Sequence, residues 1–315
     1  MAHKLKKILR PVKSLIARFL RVLPISSEKI GPPKGFYKAT RDWLVTRKPN
    51  TSIQASYVEI HPSHQISRRE PRVIDENVHW QFCRGYISYQ HETAPTFVAV
   101  VPNGRVYGEQ GIVITPEDKF LADASIEIGS FRKNTNSHSI LVLPTNAEDH
   151  SVLRQIRLPR IYHVNGTVAV LSTFAGYVYY HWMIDLLPRI ELLRLSGMDI
   201  NNIDKFVVNN ISHPFQKETL NTIGISNNKV LESNLHIKAD RLIVPSRPGH
   251  TFNTSKWACD FLRREFLSET TKKNQHSHRP KRIYLTRTNA KYRRIVNEAE
   301  LISFLNQFGF ESVTL

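Results

Sequence analysis

The chain has 315 residues, 41% of them hydrophobic and 10% aromatic, enough for two modest domains and too apolar for a disordered polypeptide. Its formal net charge of +17 points to anionic partners: phosphates, a lipid surface or nucleic acid. Cys83 and Cys259 lie 176 positions apart with no CxxC and no metal-type spacing, which excludes a disulfide scaffold and suits free thiols in a reducing compartment.

Residues 1–23, "MAHKLKKILRPVKSLIARFLRVL", carry Lys4, Lys6, Lys7, Arg10, Lys13, Arg18 and Arg21 and no acid. Apolar residues recur among them at three-to-four spacing, the pattern of an amphipathic helix. The run is too short and too charged to cross a bilayer, and it lacks the uninterrupted apolar stretch of a signal peptide. We expect a basic arm lying on anionic lipid. Residues 24–35, "PISSEKIGPPKG", read as a Pro/Gly linker.

From 36 to about 150 the pattern is short strands and turns. "TFVAVVPNGRVYGEQGIVITPEDKFLADAS", residues 96–125, alternates and is expected to form a hairpin turning at Asn103-Gly104. Between 151 and 268 the character changes. Apolar strand-like runs at 167–171, 205–209 and 240–244 alternate with helical patterns at 177–196, 213–223 and 254–268, as βα units in a mainly parallel sheet would. The first domain is therefore placed at 36–268. Residues 269–281 form a second polar linker, and 282–315 read as strand, helix, strand. Asn297 is the expected N-cap, with Glu300 closing a capping box and Gly309 ending the helix. A lone β-α-β unit leaves a sheet face and both edges open, so we expect more of this domain beyond Leu315, or docking onto the first domain.

The helix at 177–196 holds the unusual chemistry. On an α-helical wheel Tyr179, Met183, Leu186, Ile190 and Leu193 share the buried face, while His181, Asp185 and Arg189 form a stripe turned off the core. One interpretation is a solvated flank with an Asp185–Arg189 i,i+4 pair. The other is a cleft wall, in which a carboxylate orients and polarises an imidazole that accepts a proton, with Tyr177 and Trp182 beside it. Pro188 lacks the N–H a continuous helix needs, so strain or a bend is expected there. His181 and Asp185 alone make an incomplete metal site, and no third ligand stands near them in sequence.

"YYHWMIDLLPR", residues 179–189, resembles the Tyr-His-Trp-x-x-Asp-x-Leu-Pro-Arg signature of glycosyltransferase family 61. "GTVAVL" before it, "DKFVVNNISHPFQKETLNTIGI" and "DRLIVPSRPG" after it, and "RIYLTRTNAKYRRIVNEAELISFLNQFGFESV" at the end continue the resemblance, which spans roughly residues 97–315. It implies an α/β fold of the GT-B type: a Rossmann-like first domain with a β-rich N-terminal part, and the opening βαβ of a second Rossmann-like domain, the active site lying between them. It implies an inverting transferase that moves a sugar from a nucleotide sugar to a glycan or protein hydroxyl, with no metal cofactor; the chain has no Asp-x-Asp motif.

On that basis the catalytic candidates are His181, Asp185 and Arg189, with His181 as base or acceptor orienter. Arg287, Arg293 and Arg294, just before a helix start, are expected at the donor diphosphate. Tyr177, Tyr180 and Trp182 are expected along the acceptor cleft. Family members continue with a His-Gly-Ala-Gly-Leu-like loop that these residues do not include, so little transfer is expected from the 315 residues alone. A truncated, non-catalytic protein retaining the transferase fold is the alternative. Aromatics are not interleaved with the basic residues, which disfavours a nucleic-acid partner. A cytoplasmic enzyme, peripheral at the inner membrane face, is the expected setting, where the sequons at Asn50, Asn165, Asn210 and Asn253 would carry no glycan.

Overall fold

A computed structural model describes residues 2–47, 53–67, 90–125, 127, 132–133, 140–141, 146–249, 254–267, 280–290 and 294–314. The chain divides into two compact units, Met1–Phe266 and Leu267–Leu315.

The first unit opens with α1 (Ala2–Val22) and contains β1 (Gly35–Tyr37), α2 (Thr40–Thr46), β2 (Ser56–His61), β3 (Gln65–Ser67), β4 (Gln90–Glu92), β5 (Thr96–Pro102), β6 (Arg105–Tyr107), β7 (Ile112–Ile114), β8 (Lys119–Leu121), β9 (Arg132–Lys133) and β10 (Ile140–Leu141). It continues through β11 (Ile161–Val170), the composite helix α3 (179–195), β12 (Lys205–Val208), α4 (Pro214–Ile223), β13 (Val230–Glu232), β14 (His236–Pro245) and α5 (Lys256–Leu267).

One ten-stranded sheet joins the β-rich part to the βα part, in the order β1-β8-β7-β6-β14-β11-β12-β13 with β5 and β2 branching from β14. The run β14-β11-β12-β13 is parallel, and β5, β6 and β7 add antiparallel strands, so the fold is mixed α/β with a parallel centre. Both faces are covered, which explains why the central strands are apolar without a break. Ala169, Leu171, Val208 and Ile243 point into one cluster with the helices, whereas Val168, Val170, Val207 and Leu242 point into the other with Trp43 and Val106.

The Asn103-Gly104 turn is not a hairpin. β5 and β6 lie end to end along the same side of β14, with Ile243 opposite Val100 and Ile237 opposite Val106. Asn103, at φ 54°, makes the kink between them, and Asn103 N–H donates to the Asp240 carbonyl. A Cβ on Gly104 would press into Val101 and Leu242, so glycine permits the close approach. The hairpins come one step later, at β6–β7 and β7–β8.

Residues 24–35 are pinned to the sheet. The buried Arg105 bonds Asp118 at 2.5 Å, Asp118 accepts from the Ser27 backbone N–H at 2.7 Å and from its hydroxyl, and Lys238 pairs with Glu28 at 2.9 Å. Lys34 Nζ donates to the carbonyls of Leu20 and Leu23, capping the end of α1.

Two buried imidazoles set an acid limit on stability. The Val152 N–H donates to His150 Nδ1, so its Nε2–H must face the Ser125 carbonyl, and a second proton would meet the Val152 donor. His236 donates from Nδ1 to the Pro159 carbonyl, and its Nε2 is buried. Burial pushes both down from the ordinary 6.5. The unfolded chain therefore binds protons below pH 6.5 that the folded chain refuses, and stability falls as pH drops through that range. Urea midpoints measured from about pH 7.5 to about pH 5 should decline on the acid side, and a His150→Asn variant should show a shallower decline.

The second unit contains β15 (Arg282–Thr286), α6 (Glu298–Asn306) and β16 (Phe310–Thr314), with β15 and β16 parallel and Tyr284 opposite Ser312. The expected capping box is replaced. The Asn297 side chain does not cap the helix and donates instead to Glu300 at 3.2 Å. The Glu298 carboxylate does the tethering, accepting from the Arg287 backbone N–H at 2.8 Å, the Tyr284 hydroxyl at 2.8 Å and the Thr288 hydroxyl at 2.7 Å. Those donors, the Arg287 N–H first, hold it down at about 2, ionised at any ordinary pH.

Candidate active site

The site grows from the carboxyl ends of β11, β12 and β14, where open α/β sheets gather ligands. Past β11 the chain turns sharply, with Ala175 at φ 52°. Asn209, just beyond β12, braces this turn: it accepts from the Thr173 N–H at 2.9 Å and donates to the carbonyls of Thr173 at 2.9 Å and Glu109 at 2.7 Å. Gly176 sits so close that a Cβ there would overlap the Asn209 carboxamide. Gly176→Ala should therefore displace that brace. We expect a loss of about 1–3 kcal/mol, the range for leaving buried polar groups unpaired, read as a lower thermal midpoint.

α3 is three pieces: α-helical Tyr179–His181, a π turn at Trp182–Leu186, and α-helical Pro188–Leu195. Pro188 explains the division. It has no N–H and would clash with the carbonyl four residues back, so the turn before it widens, with Leu187 N–H reaching Trp182 O at 3.0 Å, and a new α-helix starts with Pro188 at its first position. The expected strain is thus released by the inserted residue.

The wide turn also moves the wheel. Asp185 and Arg189 are buried rather than turned off the core, and Tyr179 is exposed rather than buried. His181 Nδ1 lies 2.6 Å from Asp185 Oδ2, with the imidazole side chain 22% and the carboxylate side chain 10% exposed. A carboxylate only accepts, so Nδ1 carries the hydrogen and Nε2 the lone pair. Phe174 and Tyr180 set ring edges against the imidazole at 6.1 and 5.2 Å between centroids.

Arg189 does not form the i,i+4 ion pair. Its Nε donates to the backbone carbonyl of Asp185 and its Nη1 to that of Ser172, both at 3.2 Å, tying the π turn to the end of β11. Complete burial, helped by the charge of Arg247 and opposed by that of Asp185, brings its pKa down to about 9, so it remains a cation at neutral pH. The charges of Arg189 and Asp185 act on each other within this turn.

Of the expected acceptor-cleft residues, Tyr177 and Tyr180 are about half exposed, and Tyr180 Oη lies 3.3 Å from Thr254 Oγ1. Trp182 is a correction: it is 0% exposed, packed in the core with its Nε1 donating to Thr219 Oγ1 at 2.9 Å, and cannot line open space. On the connection between β15 and α6, Arg287 and Arg294 are exposed; Arg293 lies outside the described residues. Glu298, at the start of the helix they precede, accepts from the Arg287 backbone N–H and the Thr288 hydroxyl on the same connection.

Arg247 escaped the sequence reading. It follows β14, is half-buried, and has its pKa lowered by desolvation while the Asp185 carboxylate opposes the shift. Its place just after the third apolar strand was the available signal, because that is where the parallel strands present their ends. Among the described residues, no group of three or more His, Cys, Asp or Glu side chains is placed to hold a metal ion.

Two comparisons bear on this constellation. Residues 179–315 match the family model described as Glycosyltransferase 61. The match opens on the first residue of α3 and includes His181, Asp185, Arg189 and Arg247, whereas "GTVAVL" lies before it. No curated protein matches the chain. Over residues 179–315, less than half of its length, the chain is similar to glycosyltransferase family 61.

Proposed function

We propose that the protein is an inverting GT-B-type transferase that moves a sugar from a nucleotide sugar to a hydroxyl of a glycan or protein acceptor. The observation that carries this is the 2.6 Å His181–Asp185 hydrogen bond at the carboxyl ends of the parallel strands, which leaves the Nε2 lone pair of a partly exposed imidazole. In the proposed step Nε2 takes the acceptor proton as the oxygen attacks the anomeric carbon. The bond from that carbon to the donor diphosphate breaks, and its electron pair leaves with the phosphate oxygen. Asp185 steadies the imidazolium that forms. One displacement inverts the anomeric configuration. Arg287, Arg293 and Arg294 are the proposed cations for the departing diphosphate.

The test is product analysis with the full-length protein and a panel of nucleotide sugars. Transfer giving a product of opposite anomeric configuration to the donor supports the proposal, and a retained configuration overturns it.

We also infer attachment to an anionic membrane surface through α1. Val12, Leu15, Ile16, Phe19 and Val22 are exposed on one face of the helix, Lys13 and Arg18 flank that face, and Ala17 is buried on the opposite side. No described helix is long and apolar enough to cross a membrane. On this reading the protein sits at the inner membrane face, because anionic lipid is concentrated in the cytoplasmic leaflet. A Leu15→Glu/Phe19→Glu variant should stay folded and leave phosphatidylserine vesicles, and wild-type binding should weaken as salt rises. Unchanged sedimentation of that variant with vesicles would contradict the attachment.

A further inference from the structure

A cavity of about 330 Å3 opens within the first unit, with Arg247 in its lining. It is built where β2 ends, β5 begins and the chain leaves β14. The floor is aromatic: His61 stacks on Trp257 at 5.0 Å between centroids and 29° between planes, and Tyr57 lies nearby with its own ring on Phe97. Arg41 sits over the Tyr57 ring and pairs with Glu59 at 2.8 Å, placing a fork of donors next to a carboxylate acceptor at the rim. Arg247 lines the same space and also acts on Asp185 and Arg189. Ser255 lines it too, adjacent in the chain to Thr254, the partner of Tyr180.

These features select a ligand class. A mostly apolar wall with a few convergent polar groups is the usual form of a small-ligand site, and the volume is at the low end of that range, about 300–1,000 Å3. A diphosphate is disfavoured, because Glu59 stands in the cavity and Arg41 is already committed to it. Burial and the neighbouring His64 push His61 down, so the floor is uncharged at neutral pH. A pyranose ring fits: an apolar C–H face for the indole–imidazole platform and adjacent hydroxyls for the Arg41–Glu59 donor and acceptor.

We propose that this cavity is a subsite for one neutral sugar ring of the acceptor, seated on Trp257 and His61 and held at its hydroxyls by Arg41 and Glu59. The assignment rests on transfer at His181, yet it is testable without turnover. Saturation-transfer NMR and calorimetry on the full chain, with a panel of methyl hexosides and pentosides as probes, should detect millimolar binding of at least one. Trp257→Ala should weaken it about tenfold, the effect of about 1.4 kcal/mol of lost stacking. Trp257→Phe should retain most of it. Arg41→Ala, at a rim position where no core is disturbed, should weaken binding several-fold. His181→Ala should bind the same glycoside as wild type. Binding that survives both Trp257→Ala and Arg41→Ala, or no binding of any glycoside, overturns the subsite. If the subsite variants behave as stated while His181→Ala retains normal turnover, the cavity holds as a sugar site and the assignment of the base fails instead.

Discussion

His181→Ala should lower transfer turnover in the full-length protein by about 10²–10⁴, the usual contribution of a positioned general base, while leaving the thermal midpoint close to wild type. The imidazole is partly exposed and, among the described residues, makes a side-chain bond only to Asp185, so its removal opens no large cavity in the core. The check is turnover per folded molecule beside a melting curve. A variant that melts well below wild type yet turns over normally once folded would make His181 a structural residue.

Asp185→Asn should act on both rate and stability. The charge of the carboxylate acts on two guanidinium groups, the buried Arg189 and the half-buried Arg247. Removing it takes away the negative charge that favours both cations, so stability should fall, by about 1–3 kcal/mol. It also replaces the carboxylate at His181 Nδ1 with an uncharged carboxamide that no longer stabilises the imidazolium, so turnover should fall about as far as in His181→Ala. Denaturant unfolding and activity measured on the same preparation test both halves. An Asp185→Asn protein as stable as wild type would show that solvent, not Asp185, balances the two arginines.

The parallel strands were legible because burial on both faces makes them continuous apolar runs: 167–171, 205–209 and 240–244 each fall largely within β11, β12 and β14. The partners of those strands were not. Asn103-Gly104 has the chemistry of a hairpin turn, but β14 is long enough to receive β5 and β6 one after the other, and nothing local in the two strands says so. The dyad itself was readable from the His-x-x-x-Asp spacing, since four residues bring side chains together on an α turn and still do where the helix widens. The burial of Asp185, Arg189 and Trp182 was not, because the wheel assumed one regular helix, whereas Pro188 forces an extra residue into the turn.

Charges that meet across long separations left the least trace. Arg247 reaches the site from 62 positions beyond Asp185, and Arg41 and Trp257 join one cavity from opposite ends of the first unit. A single-position shift decided the second unit: Glu298 rather than Glu300 holds the loop, because the end of β15 offers Tyr284, Arg287 and Thr288 together as donors.

Imidazole rescue addresses the base most directly. A His181→Gly full-length protein leaves space for a free imidazole beside Asp185, so its turnover should rise saturably as imidazole is added and outpace any response of wild type. Turnover that stays at the floor of the glycine variant throughout the series, or a glycine variant already as fast as wild type, would contradict proton transfer through this side chain.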